Sequence, residues 1–418
     1  METTKAIPLI DSYEALIKFN KEQKKNSNCK PIKISSINLI DDSLCLSEDY
    51  IKISTSVKEY LSQPLTSFLV DFITNQDSYI SYNLKALKDY DYNKLYSKTH
   101  PEVYMQNIRD YIGQLLTLGI KRFILGNFEV ELLSMTPTSL ELEAVSYNGD
   151  RKARHIEFPY GITSIGKELF SGQTITSIYI PNTMKKIGSK AFFGTFLESV
   201  VIPNSVEEID LEAFSECTHL SHVKLTEGLK KIGNGAFYKT AIDSIEIPTT
   251  VEEIGNFAFS YCENLRTISK LSSHLKQIGN AAFNATNLEE IVIPDSIEVI
   301  SRNAFSQCSN LKKVVLPRSL KEINELSFSL TPIEELSIPD TVEIIGDSAF
   351  WCCKKLRSVN IPKNLTSFKL SAFEKTPLEK TFSKKLSYDT GGLDAEHQDT
   401  HASATSRMES IRGIKIEV

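Results

Sequence analysis

Four cysteines fall in one frame of this chain: Cys217, Cys262, Cys308 and Cys353. Thiolates could hold zinc or close disulfides. His219 and His222 follow the first of them. His397 and His401 lie four apart beside Asp394, Glu396 and Asp399, a spacing that on a helix puts two imidazoles on one face. No phosphate-binding loop, nucleophile elbow or dinucleotide fingerprint accompanies them. Their chemistry depends on the elements that carry them.

Those elements repeat. A phenylalanine recurs at Phe170, Phe192, Phe214, Phe237, Phe259, Phe283, Phe305, Phe328, Phe350 and Phe373, always 22 to 24 residues after the last. A fixed period of this length predicts a solenoid, whose units bury their apolar faces only by stacking. In the unit around Phe214, Leu197, Val200 and Ile202 precede Pro203, and Val206, Ile209, Asp210 and Ala213 follow. Val200 and Ile202 alternate with Val201, as in a strand buried on one face. Proline lacks the amide hydrogen a ladder needs, so it marks the strand end. Gly166, Gly188, Gly233, Gly255, Gly279 and Gly346 follow the second apolar pair, and a tight turn with positive φ is predicted there. The Ala-Phe pair then belongs on a short helical turn.

Three residues past the Phe, Thr195, Cys217, Thr240, Cys262, Thr286, Cys308, Thr331, Cys353 and Thr376 alternate without a miss. The true repeat is therefore a pair of units, about 45 residues long. The cysteine reads as a small inward hydrophobe and the threonine as a turn hydroxyl.

The frame Leu-x-x-Val/Ile-x-Ile-Pro, Val-x-x-Ile-Gly, Ala-Phe-x-x-Cys/Thr resembles that of the BspA-type leucine-rich repeat family, over a little more than half the chain. The resemblance implies an α/β solenoid: a curved stack of about ten units of 22–23 residues with a parallel sheet. It implies protein binding, often by surface proteins of bacteria and protozoa. It brings no catalytic residue and no cofactor, so no enzyme is expected.

Rungs of a parallel sheet are ~4.8 Å apart, which puts every second rung roughly 10 Å apart. A disulfide needs Cα atoms within ~7 Å, so these cysteines are expected to be free, buried thiols that hold no zinc. Free thiols suit a reducing compartment. The pattern turns Cys217 inward and His222 outward, so they should not converge on a metal. His397 and His401 sit in a Gly-flanked polar tail, where no metal site is expected.

Residues 1–150 do not repeat. Val57, Tyr60, Leu61, Leu65, Phe68, Leu69, Phe72 and Ile73 recur at three- and four-residue steps, a helical pattern interrupted by Pro64. Pro101 fits the first turn of another helix, with Tyr104, Ile108, Tyr111, Ile112 and Leu115 on its buried face. Ile37 to Leu46 and Phe123 to Leu133 read as strands, and Leu140, Leu142 and Ala144 alternate. The expectation is a mainly helical domain over 1–150 that caps a solenoid over 151–380, because an open end exposes core and sheet edge. Tyr82, Tyr90, Tyr92 and Tyr96 read as partly buried helix faces. Residues 381–418 read as a polar, disordered tail. It ends Ile416-Glu417-Val418, apolar at the last and third-last places, which allows a PDZ-like contact.

The 418 residues carry a net charge of −6, which argues against general nucleic-acid binding. No stretch of ~18–20 apolar residues predicts a membrane span. The first residues have no apolar core of a secretory signal, which points to the cytoplasm; a cell-surface adhesion protein is the alternative. The last four residues are not a prenylation box. The remaining candidate surface is the outward, concave side of the strands. Tyr179, Val201, His222, Lys224, Glu246, Glu290, Val292, Lys313, Val315 and Glu335 mark it. This strip is mixed and lightly charged, which fits a polypeptide partner.

Overall fold

The computed structural model describes residues 121–388 and 412–417, apart from 126 and 151, and ahead of these the backbone of four short strands and of Arg109 and Ile112. It divides into two units, Met1–Arg151 with Pro159–Ile165, and Lys152–Phe158 with Gly166–Val418.

The second unit is the solenoid. Each coil has three sides. On the first, short strands such as Ser199–Val201 and His222–Lys224 pair in parallel, with the middle residue inward. A tight turn follows the proline, as where Val206 N–H donates to Pro203 C=O at 3.0 Å. The second side carries another run of strands, Lys186–Ile187, Glu208–Ile209, Lys231–Ile232, Glu253–Ile254 and Gln277–Ile278, paired in parallel without interruption. Val299–Ile300 starts a further run through Glu322–Ile323 and Ile344–Ile345 to Ser367–Phe368.

The third side holds the Ala-Phe pair. Only in the last coil is it the expected helical turn, the 3-10 turn Leu370–Phe373. Glu212, Phe214 and Glu216 donate their N–H groups to Asn234, Ala236 and Tyr238 of the next coil at 2.7 to 2.8 Å. The intervening Ala213, Ser215 and Cys217 donate three residues back, to Asp210, Glu212 and Phe214. Every amide of the segment is thus used, as burial demands. The geometry requires left-handed backbone at both ends, at Glu212 (φ 52°) and Glu216 (φ 58°), and it recurs in every coil except the last, where only Lys375 keeps it. Most of these positions are not glycine, although left-handed backbone costs an L-residue roughly 1–2 kcal/mol.

The conserved-looking glycines of the frame have a different task from the one predicted. Gly233, Gly255, Gly279 and Gly346 are not among the positive-φ residues; those come two positions later. A Cβ at Gly279 would stand 2.5 Å from the Asn256 amide nitrogen, and one at Gly255 2.7 Å from that of Asn234. Glycine is there because the preceding coil's backbone passes too close for a side chain. Gly279→Ala should therefore cost about 1–3 kcal/mol, the usual range for overpacking. Urea unfolding reads this directly. A loss below ~0.5 kcal/mol would mean that the coils spread freely.

The ten phenylalanines stack in one column. Successive ring centroids are 5.0 to 5.7 Å apart and the planes differ by 1° to 14°. Phe158 closes the first end edge-on, 5.8 Å from Phe170. Phe382, on the helix Glu379–Tyr388, closes the other, 4.6 Å from Phe373.

The segment expected to be a polar tail contributes that helix and one strand. Lys415–Glu417 pairs antiparallel with Ser358–Asn360, and Ile416 is 1% exposed opposite Val359. Its apolar side chain gains more from the end of the core than from water. A PDZ-like groove would have to displace it. Residues 389–411, including His397 and His401, lie outside the described residues.

Most of the helical domain predicted over 1–150 lies outside the described residues. Arg109 and Ile112 are helical and Ile112 is 1% exposed, as expected of the helix from Pro101, while the other described residues of this unit form mainly strands. Ser36–Ile40 pairs with Ser43–Ser47 and Ser81–Asn83, and Ser43–Ser47 with Ile51–Ile53. Ser81–Asn83 pairs with Arg122–Leu125, which leads through Phe128–Met135 to Leu140–Tyr147 and Ser164–Ile165. Phe128, Val130, Leu142 and Ala144 are buried, so strand alternation decides the packing here. The Thr163 N–H donates to Leu142 C=O at 2.9 Å, and the Thr163 hydroxyl accepts from Leu142 N–H at 2.8 Å. The expected helix over 57–73 and Tyr90, Tyr92 and Tyr96 lie outside the described residues; Tyr82 is in strand backbone.

Candidate interaction surface

The strands of the first side hold nine of the ten candidate residues, and Glu246 follows directly on Ser244–Ile245. All ten side chains are exposed. In register, Val201 faces Lys224, Glu290 faces Lys313 and Val292 faces Val315. Val292 is 60% exposed and Val315 43%. Glu290 and Lys313 form an ion pair at 3.4 Å, open to water on both sides and therefore weak. Tyr179 and Val201, at 48% and 59%, make a second apolar spot. Next to Glu335, Ser358 on the last of these strands is only 8% exposed. The Asn360 side chain turns to its neighbour, accepting from Ile338 N–H at 2.7 Å.

This ladder is not one sheet. It comes in pairs: His155–Glu157 with Ser177–Tyr179, Ser199–Val201 with His222–Lys224, Ser244–Ile245 with Thr267–Ile268, and Glu290–Val292 with Lys313–Val315. Between pairs the backbone link thins, as at Glu198 N–H to Thr176 C=O, 3.2 Å. The breaks fall where a cysteine coil gives way to a threonine coil, whose link from Phe to strand is one residue shorter.

The BspA type leucine rich repeat profile matches residues 140–266 and 276–388, more than half of the chain, in six copies. The chain belongs to the BspA-type leucine-rich repeat family. Three solved structures resemble this BspA-type chain. A leucine-rich repeat protein of Bacteroides ovatus is 22% identical, with 60% of this chain and 92% of that one covered and a TM-score of 0.38. The pneumococcal vaccine antigen PcpA is 17% identical, with 62% and 85% covered and a TM-score of 0.39. A leucine rich cell surface protein of Faecalibacterium prausnitzii is 21% identical, with 70% and 98% covered and a TM-score of 0.30. No curated protein matches the chain.

Inside the BspA-type coils, threonine and cysteine form buried pairs. The Cys217 thiol donates to Phe192 C=O at 3.0 Å and lies 3.3 Å from the Thr195 hydroxyl. Cys262 repeats this with Phe237 and Thr240, Cys308 with Phe283 and Thr286, and Cys353 with Phe328 and Thr331. The cysteine is thus a hydrogen-bond donor and not merely a small hydrophobe. Burial pushes each of the four thiols up to about 11, and the threonine contacts pull only partly back. A thiol so held is a poor nucleophile and a poor metal ligand.

His219 packs its ring 5.2 Å from Phe196, and His222 bonds to the Ser221 hydroxyl at 2.8 Å. Neither turns toward Cys217. Among the described residues no three His, Cys, Asp or Glu side chains are placed to share a metal ion, and no helix is long and apolar enough to cross a membrane.

Sequence reasoning missed one surface. On the third side, Leu211, Phe257 and Tyr261 are 40 to 50% exposed and border a groove of about 600 Å³. The signal was available: Phe257 stands where most coils carry a small or polar residue.

Proposed function

We propose that the BspA-type solenoid is a non-enzymatic scaffold that binds a polypeptide partner along the outward face of its first-side strands. The observation that carries this is the alignment of ten exposed side chains along one ladder, with Val292 and Val315 side by side in its middle. Apolar contact flanked by light, mixed charge is the make-up of a protein interface core with a polar rim. The place of action we propose is the cytoplasm. The five described cysteines are free, which suits a reducing compartment; labelling of intact cells tests the cell-surface alternative.

The experiment has two stages. Tagged full-length chain is used to recover and identify a partner from its native cell. The double variant Lys224→Glu, Val292→Asp is then titrated with the purified partner. Both side chains are exposed, so the fold should survive. Binding should fall at least tenfold with the melting temperature unchanged. Unchanged affinity in the folded variant rules out the strip as the site.

A further inference from the structure

The third side of the coils carries a second surface, distinct from the strand strip. Phe257 is its centre. It is 50% exposed and held at φ 56°, in the left-handed region where a bulky side chain is an outlier. The same place in neighbouring coils holds Glu212, Gly235 and Ala281. An exposed, strained aromatic contributes nothing to the core two residues away, where Phe259 is fully buried. The left-handed backbone is common to the coils; what sets this position apart is that it presents a bulky ring to solvent.

Phe257 does not stand alone. Tyr261, 40% exposed, packs edge-on to Tyr238 at 5.7 Å, and both border the groove of about 600 Å³ with Phe193. Gly235 also borders it, and a Cβ there would stand 3.1 Å from the Glu212 Cγ atom. The only charged residues bordering it are Glu212 and Glu216. Lys190 and Lys239, which pair with them at 3.4 and 3.5 Å, lie outside the lining.

Those lysines show what this face accepts. Lys190 stands over the Phe193 ring at 5.6 Å and Lys239 over Tyr238 at 5.2 Å. Farther along, Lys375 covers Trp351 at 4.7 Å. Three aromatic rings of the third side thus carry a cation from the chain itself. Among the described residues no such cation is placed over Phe257 or Tyr261. A ring face beside a carboxylate attracts a cationic side chain, and arginine adds a bidentate bond to the carboxylate.

We propose that the groove around Phe257 binds a basic segment of a partner polypeptide, whose arginine or lysine side chains lie over Phe257 and Tyr261 and reach Glu212 and Glu216. The exposed ion pairs that now hold these carboxylates are weak enough to be exchanged.

Hexa-arginine is the probe, titrated into the full chain by calorimetry at low salt, with hexa-glutamate as control. Saturable one-site binding is expected for hexa-arginine alone. Phe257→Gly should weaken it at least tenfold while raising the melting temperature, because glycine relieves the left-handed backbone. Glu216→Gln should weaken it several-fold in a chain that melts as the parent does. Tyr261→Ala keeps the test open should Phe257→Gly not fold. The proposal is overturned if hexa-arginine does not saturate, if hexa-glutamate binds as well, or if folded variants bind as the parent does. The last result would mark diffuse attraction to a chain of net charge −6.

Discussion

Phe259→Ala lowers the stability of the solenoid by about 3–5 kcal/mol, the usual cost of emptying a buried aromatic site. The ring has no exposed surface. It lies between Phe237 at 5.3 Å and Phe283 at 5.4 Å, with planes 11° and 1° apart. Removing it deletes the apolar burial and both ring contacts, each worth ~0.5–1.5 kcal/mol beyond area. The neighbouring coils cannot collapse into the gap, because the third-side backbone bonds Phe237 N–H to Ala258 C=O and Phe259 N–H to Ala282 C=O at 2.8 Å hold them apart. Urea unfolding with two probes, one reporting each half of the stack, measures the loss. Because coils contact chiefly their neighbours, the variant is also expected to split one transition into two. A loss under ~1 kcal/mol would show that the column is not the core.

The second large effect is alkaline. The thiols of Cys217, Cys262, Cys308 and Cys353 are raised from 9.0 to about 11 by burial. The folded chain keeps these four protons at a pH where the unfolded chain has released them. Folding therefore takes up protons in this range, and stability falls as pH rises. The contribution is complete below pH 9 and is lost as pH climbs toward 11. Two pKa units correspond to about 3 kcal/mol per thiol, so four thiols together weigh on the order of the whole stability of a domain. A variant with all four changed to serine keeps the hydroxyl donor but has nothing to ionise. Its melting temperature should fall much less between pH 9 and 11 than the parent's. Lysines and tyrosines titrate here as well, but equally in both chains. Parallel curves would assign the alkaline loss to those groups and remove the thiols from the account.

The stack was legible because its period is carried by residues that tolerate little substitution. A buried Phe recurs in every coil and a Pro at the strand end in all but two, at Thr226 and near Leu271, and the outward positions follow from strand alternation. That is why Tyr179 to Glu335 fall on one face. The second run of strands was not legible. Val206 and Ile209 stand three apart, a spacing that reads as a turn, and Glu208–Ile209 is too short to show alternation. The glycines misled because close backbone approach and positive φ select the same residue; only the neighbouring coil distinguishes them. The threonine–cysteine alternation was visible as a pattern, but its hydrogen bonds join residues 22 apart in sequence. The Phe257 groove escaped because the reading followed strand faces, and this side has no strands. In the first unit the strands over 37–46 and 123–133 were legible from alternation, and the helical spacing over 57–73 lies outside the described residues.

The buried threonine–cysteine bond also sets a rule of parity for how such a chain can change its length. Thr195 belongs with Cys217, Thr240 with Cys262, Thr286 with Cys308 and Thr331 with Cys353. Duplicating two coils renews a complete bond and keeps the paired rhythm of the first-side strands. Duplicating one coil leaves a thiol or a hydroxyl without its mate, bonded to a phenylalanine carbonyl alone, as Thr376 is to Phe373. Nor can coils be appended at the far end, where an antiparallel strand and Phe382 already occupy the last rung. Growth is favoured in the interior of the array and in even steps.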